Sequence, residues 1–427
     1  MGLCLLGRGS GITVNMISIR RCRSTIFPIC VLFTLFLISA HANASTDAVV
    51  LPTASPRVLH YERLQYIVGF GGLFYYLLLL WGLVATGLAS KVRQFSERAG
   101  KYKIVVLALT ILLLTSITFV LNLPLSFYGG YILPHEFGQS TETLSKWFRD
   151  LFVGHFLNVG VYFLAFAGLF FVINRSPGRW PLWCWLASIP VTAFSLFAQP
   201  LYIDPLFNHF SLLSESRPLY SQIEALAAKA GIPQAPIYIV DMSSKTRDVN
   251  AYVTGIGDSA RIVIWDTTIQ KLPTDQVLAM VGHEMGHYVL HHVYLSFFES
   301  LAGLALLFPI CKWILSYLLS KRGKQWGVVG LTDPAAIPLF LLLVSISNLV
   351  MAPVSSALSR QVEAQADAFG IQLTGNPVAM AKMFVSIAKI DLSNPDPPAI
   401  IQFMYGDHPT LRERVNTALS KEGSRPF

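Results

Sequence analysis

The chain has 427 residues, of which 53% are hydrophobic and 13% are charged, and its mean hydropathy is +0.53. Soluble domains carry about 25% charged residues and disordered chains have low hydrophobicity, so the composition excludes both classes. The formal net charge is +8 and the pI is about 9.2, but the basic residues follow membrane topology rather than one face of a soluble domain, so we expect no nucleic-acid partner.

The first 44 residues are predicted to be a signal peptide or a first membrane helix. Three arginines between positions 20 and 23 precede an apolar run over residues 26–38, and Ala42-Asn43-Ala44 has the A-x-A pattern of a signal cleavage site. Met16 would start a signal peptide of more usual length. In both interpretations the basic residues keep the N-terminus on the inner side of the membrane.

Six further apolar segments follow, each long enough for the roughly 20 residues of a membrane-spanning helix. They are centred on residues 66–89, 104–123, 151–173, 181–200, 295–318 and 336–356. The polar stretches 201–294 and 357–427 lie between and after them. Together these stretches are large enough for one soluble domain, which the last two membrane helices interrupt.

Basic residues in three short loops predict the orientation in the membrane. The loops contain Lys91, Arg93, Arg98, Lys101, Lys103, Arg175, Arg179, Lys321, Arg322 and Lys324, with Glu97 as the single acid among them. All three loops lie on one side if the six helices alternate, and the positive-inside rule assigns that side to the cytoplasm. We therefore expect both polar stretches on the periplasmic or extracytoplasmic side of the inner (cell) membrane.

His283, Glu284 and His287 form an HExxH motif within an apolar helical pattern, with Thr274 as the predicted N-cap of the helix. Residues i and i+4 share one face of a helix, so both imidazoles can bind one Zn²⁺ ion. Glu284 is placed to take a proton from a water molecule on that zinc. A chance occurrence of the pattern is the alternative, and the helical context makes it the weaker one.

A catalytic zinc needs a third protein ligand, and the residues alone leave three candidates. His291 lies one turn beyond His287 and His292 points away from that face, so both are interpreted as surface or membrane-interface histidines. Glu363 precedes Asp367 by four residues on a predicted helix, where Asp367 can accept a hydrogen bond from a ligating histidine. A solvated acidic helix face is the alternative for this pair.

The chain resembles the type I CAAX prenyl proteases, a family of integral-membrane gluzincin zinc metalloproteases, and looks like a bacterial member. The resemblance covers residues 105–420, about three quarters of the chain. Its motifs occur at residues 123–128 (LPLSFY), 200–208 (PLYIDPLFN), 250–252 (NAY), 261–267 (RIVIWDT), 283–287 (HEMGH), 359–360 (SR), 363–367 (EAQAD), 408–409 (HP) and 413–414 (ER). This ordered set is far more specific than HExxH alone.

The resemblance implies the roles of residues outside the HExxH motif. Glu363 would be the third zinc ligand, and Asp367 would be the buried partner of a ligating histidine. His408 would donate a hydrogen bond to the developing oxyanion, with Arg414 supporting that region.

The family pattern also implies a substrate-binding strand. Asn250, Ala251 and Tyr252 would belong to an edge strand that pairs with an extended peptide, since such pairing supplies main-chain hydrogen bonds without sequence demands. The cytosolic substrates of the family would need a cytosol-facing site, however, whereas the charge pattern predicts the opposite side. We expect this chain to share the hydrolytic chemistry of the family, and we leave open whether its substrate is prenylated.

The sequence thus predicts a mainly α fold of polytopic membrane helices with an interrupted zincin-like α+β metalloprotease domain. The predicted domains are 1–44 (signal or first helix), 45–200 (four-helix membrane region), 201–294 with 357–427 (zinc domain) and 295–356 (two membrane helices). The expected function is a zinc metalloendopeptidase acting on a peptide or protein substrate at the lipid bilayer. The alternatives are quality-control cleavage of envelope proteins and a non-catalytic chaperone, and Glu284 argues against the second of these.

Overall fold

The structure is a computed structural model that describes residues 49–232, 235–255 and 260–422. The predicted signal segment, residues 1–44, lies outside the described residues. Helices dominate the described part of the chain, as the sequence predicts.

The secondary structure follows the apolar pattern of the sequence. The helices are α1 (Pro56–Ala85), α2 (Leu88–Ala99), α3 (Lys103–Phe127), α4 (Leu133–Glu136), α5 (Leu144–Arg175), α6 (Trp180–Ala198), α7 (Asp204–Phe207), α8 (Pro218–Lys229), α9 (Asp266–Lys271), α10 (Thr274–Val289), α11 (His292–Trp326), α12 (Ile337–Thr374), α13 (Pro377–Ile390), α14 (Ala399–Tyr405) and α15 (Leu411–Leu419). The strands are β1 (Phe210–Leu212), β2 (Ile237–Val240), β3 (Ala251–Thr254) and β4 (Arg261–Trp265).

Among the described residues, five stretches of helix are long and apolar enough to cross a membrane. They are Pro56–Ala85, Lys103–Glu136, Leu144–Arg175, His292–Trp326 and Pro334–Thr374. The remaining predicted segment, 181–200, falls on a bent pair, in which Trp180–Leu196 and Gln199–Phe207 differ in direction by 46°. Pro200 lies in the second arm, and because proline lacks the amide hydrogen it is a common cause of helix bends.

The three basic loops meet at one end of the membrane bundle. Nε of Arg93, on α2, lies 3.3 Å from Oδ1 of Asp333 in the loop between α11 and α12. The hydroxyl of Thr332 in that same loop donates to Oδ1 of Asn174 at the end of α5, at 3.3 Å. The HExxH helix α10 lies at the other end, since α11 starts at His292 directly after α10 and ends at the basic loop.

A four-stranded sheet, in the order β1-β2-β4-β3, forms one layer of the predicted α+β domain. β2 and β4 are parallel, and the other two pairs are antiparallel. Ile262 and Ile264 of β4 are almost fully buried with Val277 and Met285 of α10 in one apolar core. The sheet therefore fixes the position of the HExxH helix, and the predicted α+β domain is confirmed.

Candidate active site

Helix α10 carries the HExxH motif and lies unusually close to α12. A Cβ atom on Gly370 would lie 2.8 Å from the backbone nitrogen of His283, and one on Gly286 would lie 3.1 Å from Cα of Ala366. Because real Cβ atoms rarely approach other atoms so closely, only glycine permits this helix spacing. The close approach brings Glu363 of α12 to the imidazoles of α10.

The side chains of His283, His287 and Glu363 converge on one point. Nε2 of His283 lies 3.1 Å from Nε2 of His287 and 3.2 Å from Oε2 of Glu363. Nε2 of His287 lies 3.5 Å from Oε1 of Glu363. Tetrahedral ligands with bonds of about 2.0–2.1 Å to zinc stand about 3.3 Å apart, so the three separations fit one such ion.

Glu363 supports the same conclusion through its unsatisfied oxygen. The residue is 2% exposed, and its Oε2 is buried without a hydrogen bond. Two imidazole Nε2 atoms of His283 and His408 approach this oxygen to 3.2 and 3.1 Å. A buried carboxylate oxygen left in this state is costly, and a cation between it and the imidazoles would satisfy it. The donor set therefore fits a metal ion.

Asp367 and Arg414 lie behind the first histidine of the motif. Nδ1 of His283 is 2.8 Å from Oδ1 of Asp367, so Nδ1 keeps its hydrogen and Nε2 is the nitrogen that would give up its proton to bind a metal. Burial alone would lower the pKa of His283, but the hydrogen bond to Asp367 and the negative charges of Asp367 and Glu363 outweigh burial and raise the pKa to about 10. Asp367 is thus the partner of His283 rather than of His287.

Two details of the helix ends differ from the sequence-based prediction. α10 begins at Thr274 with Pro273 at the N-cap, so Thr274 is not the cap residue. The prediction that His292 lies on the surface is also wrong, since this residue is 3% exposed and its Nδ1 lies 3.0 Å from Nδ1 of His287. The helix breaks at His291, where φ is +58°, and the break turns His292 back toward His287.

Glu284 lies at the edge of the same cluster. Its Oε1 is 3.9 Å from Nε2 of His283, and its side chain is 20% exposed. Desolvation raises the pKa of the Glu284 carboxyl above its ordinary value, against the lowering effect of the nearby histidines. A carboxylate with a raised pKa, open to water on one side, is suited to accept and return a proton.

His408 reaches the cluster from the loop between α14 and α15. Its Nδ1 lies 2.7 Å from Oδ1 of Asp407, and its Nε2 points to Glu363. Burial would lower the pKa of His408, but the hydrogen bond to Asp407 and the negative charge of Glu363 outweigh burial and raise it. The sequence analysis named Arg360 in the SR motif but assigned it no role. Its Nη1 holds this loop by donating to the carbonyl oxygens of Gln402 and Gly406 at 3.0 and 2.7 Å.

The predicted substrate strand corresponds to β3. This strand lies at an edge of the sheet, with β4 on one side and no strand of the described chain on the other. Ala251 and Tyr252 belong to β3, while Asn250 precedes it and accepts a hydrogen bond from the Ala251 amide through its side chain at 2.8 Å. β3 packs against α10, so the free edge adjoins the HExxH helix.

Sequence comparisons agree with this geometry. The chain is 36% identical over 350 residues to the uncharacterised metalloprotease YhfN of Bacillus subtilis (strain 168), covering 81% of each chain. The model of peptidase family M48 matches residues 214–422, and that of the CAAX prenyl protease N-terminal region, described as five membrane helices, matches residues 55–209. The chain belongs to peptidase family M48.

Other M48 relatives and a solved structure extend the similarity. The CAAX prenyl protease 1 homolog of Dictyostelium discoideum is 28% identical, covering 70% of each chain. The CAAX prenyl protease 1 of Saccharomyces cerevisiae is also 28% identical, covering 72% of this chain and 70% of the yeast protein. The crystal structure of S. mikatae Ste24p aligns with a TM-score of 0.76 at 22% identity, covering 87% and 92% of the two chains, and shows the same fold.

These findings confirm the predicted family and the predicted class of enzyme. This M48 protein is a multi-pass membrane metalloendopeptidase with the fold of Ste24p. Its family implies a metal ion, and the cluster of His283, His287 and Glu363 is the candidate site.

Proposed function

We propose that this M48 protein holds one Zn²⁺ ion through His283, His287 and Glu363 and hydrolyses peptide bonds of membrane-associated proteins. The observation that carries the proposal is the convergence of three candidate ligand atoms within 4.8 Å of one another, with the carboxyl of Glu284 beside them. Two imidazoles and one carboxylate are a typical ligand set of a catalytic zinc, which keeps a further position open.

Each side chain of the cluster has a role in the proposed reaction. When bound, zinc would polarise the scissile carbonyl and lower the pKa of water. Glu284 accepts the proton of the attacking water and passes it to the leaving amine. His408 donates from Nε2 to the oxyanion that develops on the carbonyl. Arg414 holds Asp367, and Asp367 holds the ring of His283.

The free edge of β3 is the proposed substrate-binding strand. An extended peptide added there would pair with the backbone of Ala251 and Tyr252, and Asn250 would fix the start of the strand through its bond to the Ala251 amide. Because β3 packs against α10, such a peptide would pass along the helix that carries Glu284.

The proposed location of the site is the periplasmic face of the inner membrane. The support is the clustering of the three basic loops at the bundle end opposite α10, because basic loops favour the cytoplasmic side. A substrate at this face would be a membrane-associated protein, lipidated or not. The names of several M48 relatives indicate processing of prenylated proteins, and that specificity is open for this chain.

The Glu284→Gln variant tests the proposed chemistry. Loss of the proton acceptor should reduce peptide cleavage by at least about 10²–10⁴-fold, with the zinc content of the purified protein unchanged. Asp275→Asn is the matched control, because Asp275 is an exposed carboxylate on the same helix. Undiminished cleavage by Glu284→Gln, in a preparation free of other proteases, would contradict the mechanism.

Protease protection in intact cells and spheroplasts tests the location. If the metalloprotease domain is periplasmic, added protease should cut residues 201–294 in spheroplasts while the basic loops stay protected until the membrane is broken. The reverse pattern would place the site in the cytosol. Mapping the cleavage products then separates a single cut near a substrate's C-terminus, typical of processing, from the scattered cuts of quality control.

A further inference from the structure

The two histidines of the HExxH motif have different partners behind their rings. Nδ1 of His283 faces the carboxylate of Asp367 at 2.8 Å. Nδ1 of His287 faces Nδ1 of His292 at 3.0 Å, and Nε2 of His292 lies 3.2 Å from Oε1 of Gln365 on α12. His287 is thus linked to α12 through a second imidazole rather than directly through a carboxylate.

The acceptor at Gln365 determines which ring nitrogens of His292 and His287 donate and which accept. The amide oxygen of Gln365 can only accept, so Nε2 of His292 carries the hydrogen. A neutral His292 then presents the lone pair of Nδ1 and accepts from Nδ1–H of His287. His287 in this tautomer has its free lone pair on Nε2, the atom that faces Glu363. The opposite direction would put the hydrogen on Nε2 of His287 and prevent ligation.

The backbone holds His292 in this place. α10 ends at Val289, and His291 adopts φ = +58° and ψ = +33° before α11 starts at His292. This left-handed residue turns the chain, so the ring of His292 packs at 73° to that of His287 with centroids 5.1 Å apart. His292 is 3% exposed, so its ring has little freedom to turn toward water.

We propose that His292, oriented by Gln365, is a positioning residue that fixes the tautomer and ring plane of His287 for metal binding. This inference rests on the proposed metal site and adds a residue that neither the HExxH motif nor the glutamate ligand supplies. It gives the second imidazole the support that Asp367 gives the first. Outer partners of metal-ligating histidines typically change metal affinity by 10–100-fold when removed.

Zinc affinity, measured by competition with a chromophoric chelator on the purified full-length protein, tests the inference. His292→Phe keeps a ring of similar size but removes the acceptor, and it should weaken zinc binding about 10–100-fold. His292→Asn places an amide oxygen where Nδ1 was and should stay within about threefold of the wild type. His291→Asn is the matched control, because His291 is exposed and asparagine tolerates its left-handed backbone.

The outcomes separate this inference from the proposed function. Failure of the wild-type protein to bind one zinc ion would remove the proposed function itself. If the wild type binds one zinc ion and His292→Phe binds it with unchanged affinity, the inference alone is overturned. An equal loss of zinc affinity in His292→Phe and His292→Asn also overturns it.

A second pair of variants applies if His292→Phe does not fold. Gln365→Met should then weaken zinc binding, and Gln365→Glu, which keeps an acceptor, should restore it. Equal affinities in these two variants would overturn the inference.

Discussion

Asp367 binds Arg414 through two hydrogen bonds, from Nε at 2.8 Å and from Nη2 at 2.6 Å. Both side chains are buried, and the guanidinium also lies over the ring of Phe384 at 4.2 Å. The same carboxylate faces Nδ1 of His283. The ion pair between α12 and α15 therefore supports both the fold of the metalloprotease domain and the orientation of a proposed metal ligand.

Removal of the Asp367 carboxylate should destabilise the protein strongly. Asp367→Ala leaves the guanidinium of Arg414 buried without its partner, and breaking a buried pair in this way costs about 3–5 kcal/mol. Asp396→Ala is the matched control, because its two hydrogen bonds to Arg412 are as short, at 2.6 Å, but both side chains are about half exposed. Thermal unfolding in detergent should show a large drop for Asp367→Ala and little change for Asp396→Ala. Equal drops would contradict this account.

Glycine at position 370 should be required for the close packing of α10 and α12. A Cβ there would lie 2.8 Å from the backbone nitrogen of His283, so Gly370→Ala must push the helices apart, at a cost of about 1–3 kcal/mol. Gly303→Ala, at a helical position of α11 with nothing within 4 Å of its Cβ, should be neutral or slightly stabilising. The expected result for Gly370→Ala is a lower unfolding temperature together with weaker zinc binding.

A stable Gly370→Ala variant with undiminished zinc affinity would contradict the proposed link between helix spacing and the metal site. Gly303→Ala is the control for a loss of stability that any replacement of a helical glycine by alanine would cause. A matching loss of stability in both variants would mean that helix spacing is not the cause.

The sequence predicted the helical membrane architecture because long apolar runs have few alternatives in a bilayer. The residues alone left Glu363 as one of three candidate ligands, and only the family resemblance selected it, since 80 residues separate it from His283 in the chain. Nothing in the local pattern shows that Gly286 and Gly370 allow α10 and α12 to approach. In retrospect, Gly286 within HExxH and Gly282 directly before it were the available signal on α10.

The error at His292 has a specific physical cause. Extending the HExxH helix without a break places residue 292 away from His287, and the sequence analysis made that assumption. The sequence does not indicate which of the two consecutive histidines, His291 or His292, adopts a left-handed backbone. The role of Arg360 was missed for a related reason, because holding the His408 loop depends on carbonyl groups, which every residue carries.

His408 should affect turnover more than metal binding. His408→Leu removes the proposed oxyanion donor, and the loss of such a donor typically lowers kcat by about 10²–10³-fold. The zinc affinity and KM should change little, since His408 is not among the proposed ligands. His209→Leu, at an exposed histidine preceding β1, controls for loss of an imidazole. A variant with normal kcat and a raised KM would indicate a role in substrate binding instead.

Zinc affinity should depend on pH through His283. In the metal-free protein Asp367 and Glu363 raise the pKa of His283 to about 10, so zinc must displace a proton at every pH below that value. Because the folded-state pKa is raised, the protonated ring stabilises the metal-free protein fully below pH 6.5, and this contribution disappears as the pH rises through 10. The apparent zinc affinity should therefore increase about tenfold per pH unit between pH 7 and 9, once the acidity of the chelator is accounted for.

Competition titrations at three pH values measure the slope of zinc affinity against pH, and the Asp367→Asn variant should show a shallower slope. A wild-type affinity independent of pH in this range would mean that no proton is released on binding.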